Sequence, residues 1–185
     1  MSWNPSRLLT RVLLATLLLA ALALPATAGA QTIAGSGVLV AKDKLAAKGC
    51  GRAKLTGPQT VTLQDDGTWT AMDDGGDTLG GTYVAVGSKG RKFDLTFDAP
   101  SLAALRLMLE EDLSDLCEAA VVVTTIETKR FVFALNRRGT KATVKAKLRL
   151  QGTANGQAGK GTFKVKAKGP WTTGLGSPSG AFLAD

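Results

Sequence analysis

The stretch Thr140-Lys141-Ala142-Thr143-Val144-Lys145-Ala146-Lys147-Leu148-Arg149-Leu150-Gln151 decides the fold class. From Ala142 to Leu150 every second residue is apolar, and the positions between them carry Thr143, Lys145, Lys147 and Arg149. Successive side chains of a strand point to opposite faces, so this alternation is a β-strand with one buried and one solvated face. Gly161–Lys168 repeats it, with Phe163, Val165 and Ala167 set against Lys164, Lys166 and Lys168. Between the two lies the turn-forming stretch Thr153–Gly159, so the pair reads as neighbouring antiparallel strands.

Working outward from this pair, the same period recurs at Gly37–Lys42, Arg52–Leu55, Thr60–Gln64, Thr68–Met72, Thr82–Val86, Lys92–Phe97, Ala120–Glu127 and Arg130–Leu135. Turns between them have chemical causes: Asp65-Asp66-Gly67 places a glycine where the backbone needs positive φ, and Gly87–Gly90 and Arg137–Gly139 follow the same logic. The expected fold is mainly β, an antiparallel meander barrel of about 8–10 strands. One segment breaks the period. From Pro100 to Glu118, Leu102, Leu105, Leu109, Leu113 and Leu116 recur at spacings of three and four, which predicts an amphipathic helix over roughly 100–118, with Pro100 and Ser101 in its first turn. A helix inserted in a meander closes one barrel end or covers an open sheet face.

The chain begins with Arg7 and Arg11, the apolar run Val12–Leu24, then Pro25 and overlapping A-x-A sites ending at Ala28 and Ala30. This reads as a cleaved secretory signal over residues 1–30, since a run of thirteen is too short for a bilayer that asks for about 20. The expected location is periplasmic or secreted. The expected organisation is a barrel domain over 31–168 and an irregular Gly/Ser/Pro-rich tail over 169–185. Cys50 and Cys117 carry no C-x-x-C spacing, and in an oxidising compartment they read as a structural disulfide worth roughly 4 kcal/mol in the chain-entropy picture.

The chain has no histidine. That removes the usual general base, the usual partner of a nucleophilic serine and the commonest transition-metal ligand, so no metal and no cofactor is expected and a non-enzymatic protein is favoured. A carboxylate or lysine mechanism stays open as an alternative, requiring such a group with a strongly shifted pKa inside a pocket. The loop Asp73-Asp74-Gly75-Gly76-Asp77 fails EF-hand spacing and reads as a polar turn.

Charge is sorted along the chain. Twelve acidic residues face four basic ones between Asp65 and Glu118, whereas Lys129–Lys168 holds twelve basic residues and no acid. Removing Arg7 and Arg11 takes the formal charge from +8 to +6. Lys145, Lys147, Arg149, Lys164, Lys166 and Lys168 form a ladder that reads either as a solvated, aggregation-resistant face or as a contact for anionic lipid or polysaccharide. Nucleic acid is not expected, because the ladder has no interleaved aromatics and the chain reads as exported. A membrane-spanning barrel is disfavoured by the lysine rows, by only nine aromatics after residue 30 and by the lack of paired aromatic girdles.

The other candidate site is the interior. Phe93, Leu95 and Phe97 share a strand face, Phe131 and Phe133 share another, and Leu105 and Leu109 of the helix can lie over both. They are core residues or the lining of a cavity for a small apolar ligand. Ala71, Ala85, Ala146 and Ala167 would leave room for one.

Gly67-Thr68-Trp69-Thr70, Gly81-Thr82-Tyr83-Val84 and Gly90-Arg91-Lys92-Phe93-Asp94-Leu95 resemble the middle of small bacterial lipocalin-like, calycin-type barrels over about thirty residues. Lipocalins carry their G-x-W on the first strand, whereas Gly67–Trp69 follows two or three strands here. The resemblance implies a barrel that transports small apolar ligands. The leading expectation is an exported binding barrel for such a ligand or for an envelope component, and the alternative is a structural or adhesive surface protein that uses the cation ladder.

Overall fold

A computed structural model describes residues 33–174. The signal read over residues 1–30 and the last part of the tail, 175–185, lie outside the described residues. The strands are β1 (Gly35–Ala47), β2 (Gly51–Leu63), β3 (Thr68–Asp73), β4 (Thr78–Ala85) and β5 (Lys92–Phe97). After them come helix α1 (Ala99–Cys117), β6 (Val121–Leu135), β7 (Lys141–Ala154), β8 (Gln157–Pro170) and the short β9 (Thr172–Thr173). From β1 to β8 each strand pairs antiparallel with the next, and β1 also pairs with β8, so eight strands close into a barrel with a single helix between the fifth and sixth, while β9 adds to the start of β1.

The ten segments read from sequence become eight barrel strands because two pairs fuse. Gly57-Pro58 does not break β2: Pro58 lies opposite Val40 of β1, and the pairing of β2 with β3 begins only at Gln59. Proline is tolerated there because that edge asks for no ladder hydrogen bond. In β6 the register against β7 slips between Val123 and Thr125 and again between Thr128 and Arg130. Each slip is a bulge that adds one residue, and together they keep Val123, Ile126 and Phe131 on the inner face.

The Asp65–Gly67 turn forms as its residues require. Gly67 has φ +84°, and Asp66 accepts from the backbone N–H and the hydroxyl of Thr68 at 2.8 and 2.6 Å. The described part of the tail is ordered strand: Gly169 and Pro170 complete β8, Trp171 is buried and Thr172–Thr173 pair with Gly35–Ser36. This corrects the reading of 169–174 as irregular. The cause is the absence of a side chain on β1, since a Cβ on Gly37 would stand 2.3 Å from the Pro170 carbonyl oxygen and 3.1 Å from the Trp171 ring.

Strand lengths are unequal. β3, β4 and β5 have six to eight residues, whereas β1, β2, β6, β7 and β8 have 13 to 15. β5 pairs with β6 only through Lys92–Asp94 and Val132–Ala134, which leaves the first half of β6 without a strand on that side. Helix α1 fills the gap. Its N-cap is Asp98, whose carboxylate accepts from Ser101 N–H at 2.7 Å, and its face of Leu105, Leu109 and Leu113 packs on Leu45, Val123, Leu148 and Leu150. The helix also satisfies bare backbone: Val123 N–H donates to Glu110 Oε1 (2.8 Å), Val121 N–H to Ser114 Oγ (3.1 Å) and buried Gly80 N–H to Ser101 Oγ (2.7 Å). The Cys50–Cys117 disulfide ties the end of α1 to the β1–β2 turn.

Candidate ligand cavity

The barrel has one filled end and one hollow end. At the filled end Tyr83 meets Phe93 edge-on (5.5 Å between centroids), Phe93 meets Phe133 (6.1 Å) and Phe133 meets Trp171 (4.7 Å). The Tyr83 hydroxyl accepts from Ile33 N–H at 3.0 Å, and its proton is directed at the Ile33 and Gln64 carbonyls. These rings pack together in the core, where the buried Trp171 Nε1–H has no hydrogen-bond partner among the described residues.

Towards the helix end the interior opens into a cavity of about 580 Å³, within the size range of small-molecule sites. One wall is an aromatic group: Phe97 stacks on Phe131 (4.6 Å), and Trp69 meets Phe131 edge-on at 5.0 Å and Phe97 at 5.6 Å. Trp69 is held by an Nε1–H donated to the Thr96 carbonyl at 3.0 Å. Leu105 and Met108 of α1 form the lid. Ala71 and Ala146 line the cavity and give it volume, whereas Ala85 and Ala167 pack in the filled end.

The interior residues read from sequence therefore divide. Leu95, Phe97, Phe131 and Leu105 line the cavity. Phe93 and Phe133 are fully buried in the filled end, and Leu109 is fully buried beneath the helix, so these three are packing residues.

The mouth lies between β2 around Leu55–Gln59, the β3–β4 turn and α1, and it is acidic. Asp73, Asp74 and Asp77 come from the turn and Glu111 and Asp112 from the helix. Further in, β1 places Asp43 on the inner face in sequence with Leu39, Ala41 and Leu45. Its Oδ1 is buried and has no hydrogen-bond partner among the described residues. Burial first, and then the Asp112 carboxylate across the cavity, push Asp43 up to about 6. Asp112 is itself raised, by burial and by its neighbours Glu111 and Asp115. A second hollow of about 310 Å³ continues from the first beneath α1 and shares Asp43, Leu55, Asp112 and Phe163 with it.

The sequence reading of the first strand stops at Lys42 and so does not include Asp43, whereas β1 runs on to Ala47. The signal was present: Asp43 stands between Lys42 and Lys44 at the parity of Leu39, Ala41 and Leu45. Among the described residues no group of three or more His, Cys, Asp or Glu is placed to hold a metal ion.

Lys145, Lys147, Arg149, Lys164, Lys166 and Lys168 are all exposed on the outer face of β7 and β8. Their register extends the ladder further than the sequence indicated. Arg130, Lys147, Lys164, Lys44 and Lys54 stand opposite one another across five adjacent strands, and Lys145, Lys166 and Lys42 make a parallel row of three. At about 4.8 Å per strand the longer row spans roughly 20 Å. The one ion pair among the described residues, Lys129 with Glu127, lies outside both rows.

A closed eight-stranded antiparallel barrel agrees with the architecture that the calycin resemblance implies. Comparison of the chain with protein-family models, curated proteins and solved structures finds no match to any of them. Among the described residues no helix is long and apolar enough to cross a membrane.

Proposed function

We propose that this chain is an exported barrel that binds a small apolar ligand in its interior and carries it through a periplasmic or extracellular space. The observation that carries the reading is the cavity, which is apolar and aromatic in its depth, reached through a polar mouth and capped by a helix that is stapled in place. The Cys50–Cys117 bridge is compatible with an oxidising compartment. Asp43 is a shifted carboxylate in a pocket, the feature an enzyme would need. Among the described residues, however, the lining brings it no lysine or arginine to stabilise developing negative charge, and its other polar side chains are carboxylates, Thr56, Gln59 and Trp69, whose Nε1–H is already given to the Thr96 carbonyl. Binding is therefore favoured over catalysis. The test is titration of the purified protein with the neutral dye N-phenylnaphthylamine: saturable, one-to-one fluorescence enhancement supports the carrier, and its absence sinks it.

The five-cation row favours a second, compatible role, adsorption to an anionic surface. Like charges placed directly opposite one another on a sheet cost stability, and an anionic partner would remove that cost. Rows of cations in mid-strand also make the outer face of β7 and β8 unsuited to lipid chains.

A further inference from the structure

We infer that the ligand selected by this cavity is a lipophilic cation, an apolar body carrying an amine or quaternary ammonium head that seats against Asp43. The inference rests on the binding reading above and specifies its substrate class. Three observations carry it. First, the cavity joins an aromatic wall of Trp69, Phe97 and Phe131 to a carboxylate whose Oδ1 is buried without a partner among the described residues. A buried carboxylate oxygen without a partner is costly, and a cation supplied by a ligand offsets that cost. Second, charged residues at the cavity are of one sign. Asp43, Asp73, Asp74, Asp77, Glu111 and Asp112 line it, and no lysine or arginine does among the described residues, although cations outnumber anions in the chain. Acids from three separate elements converge there, while the cations of β1, β7 and β8 point outward. Third, aromatic rings that line one cavity with an acid suit ammonium groups, because the ring quadrupole attracts a cation as the carboxylate does. A fatty acid or other lipophilic anion would meet repulsion at the mouth and again at Asp43.

A structural role for Asp43 would be served as well by asparagine, without the ionisation cost that burial imposes. The test compares three probes of one chain length below their micelle concentrations: decyltrimethylammonium, decanol and decanoate, each displacing N-phenylnaphthylamine. The ammonium is expected to bind at least about tenfold more tightly than decanol, with decanoate weakest, and the ammonium-to-decanol ratio is expected to fall to near unity in Asp43→Asn. A ratio that is the same in wild type and Asp43→Asn, or decanoate binding more tightly than the ammonium, would overturn the inference while leaving the carrier intact. Failure of the wild type to bind the neutral dye would instead remove the carrier reading itself. Circular dichroism of Asp43→Asn matching wild type ensures that the ratio reports the site rather than the fold.

Discussion

Asp43 shows how one inward position sets both stability and selectivity. Its folded pKa, about 6, lies above its ordinary value of 3.8, so the ionised form is the one the folded state disfavours. Below about pH 4 the group is protonated in both states and costs nothing; between about pH 4 and 6 the penalty grows, and above that it is complete. Asp43→Asn should therefore stabilise the protein by about 1–2 kcal/mol near neutral pH, the full shift being discounted for the solvent that the cavity admits. The gain should shrink as pH falls towards about 4. Urea denaturation at the two pH values checks this, and an equal gain at both would assign the effect to packing instead. At the filled end, Gly37→Ala should destabilise by roughly 1–3 kcal/mol, because its Cβ has no room against Pro170 and Trp171; thermal unfolding followed by tryptophan fluorescence measures it. Neither role was open to sequence alone. Alternation places Asp43 inward only once β1 is known to run past Lys42, and nothing local reveals that Trp171 lies over two glycines.

At the scale of elements, α1 was the most legible feature, since leucines at spacings of three and four define a helix whatever surrounds it. Its purpose was not legible, because the free edge of β6 arises from the short pairing of β5 with β6, a property of register rather than of residues. Likewise the fusion of two segments into β2 depends on which edge Pro58 occupies. Ser101 is where helix and sheet are joined: its hydroxyl accepts from the buried Gly80 N–H. Ser101→Ala leaves that donor unsatisfied and should cost about 1–3 kcal/mol, measured by chemical denaturation. A loss below a few tenths would show that the bond is not needed. Cys50→Ser with Cys117→Ser should lower the unfolding free energy by about 2–4 kcal/mol, because the bridge closes a loop with a sequence separation of 67. The same pair should also raise hydrogen exchange at the C-terminal end of α1, and unchanged exchange there would mean that packing alone holds the helix.

At the scale of the molecule, the sorting of charge along the chain becomes a sorting in space. Acids from the β3–β4 turn and α1 meet Asp43 around the cavity, while the cations of β1, β2 and β6–β8 stand on the outer face of the barrel. The sequence showed both blocks but not their arrangement, because Lys44 and Lys54 join the row only through the closure of β1 onto β2 and β8. The row predicts sedimentation with phosphatidylglycerol vesicles that is lost at roughly 0.5 M NaCl and weakened by Lys147→Glu with Lys164→Glu. Salt-insensitive binding would point away from the row. The barrel class was legible in the alternation of Ala142–Leu150 and its neighbours, whereas the hollow was not, since the aromatics that fill one end and those that line the other share one pattern. The most direct test of the account is N-phenylnaphthylamine titration of wild type beside Ala71→Trp, a substitution that fills the cavity from β3. Saturable one-to-one binding in wild type that weakens at least about tenfold in Ala71→Trp, with matching circular dichroism, is the predicted result; equal binding by the two proteins would contradict it.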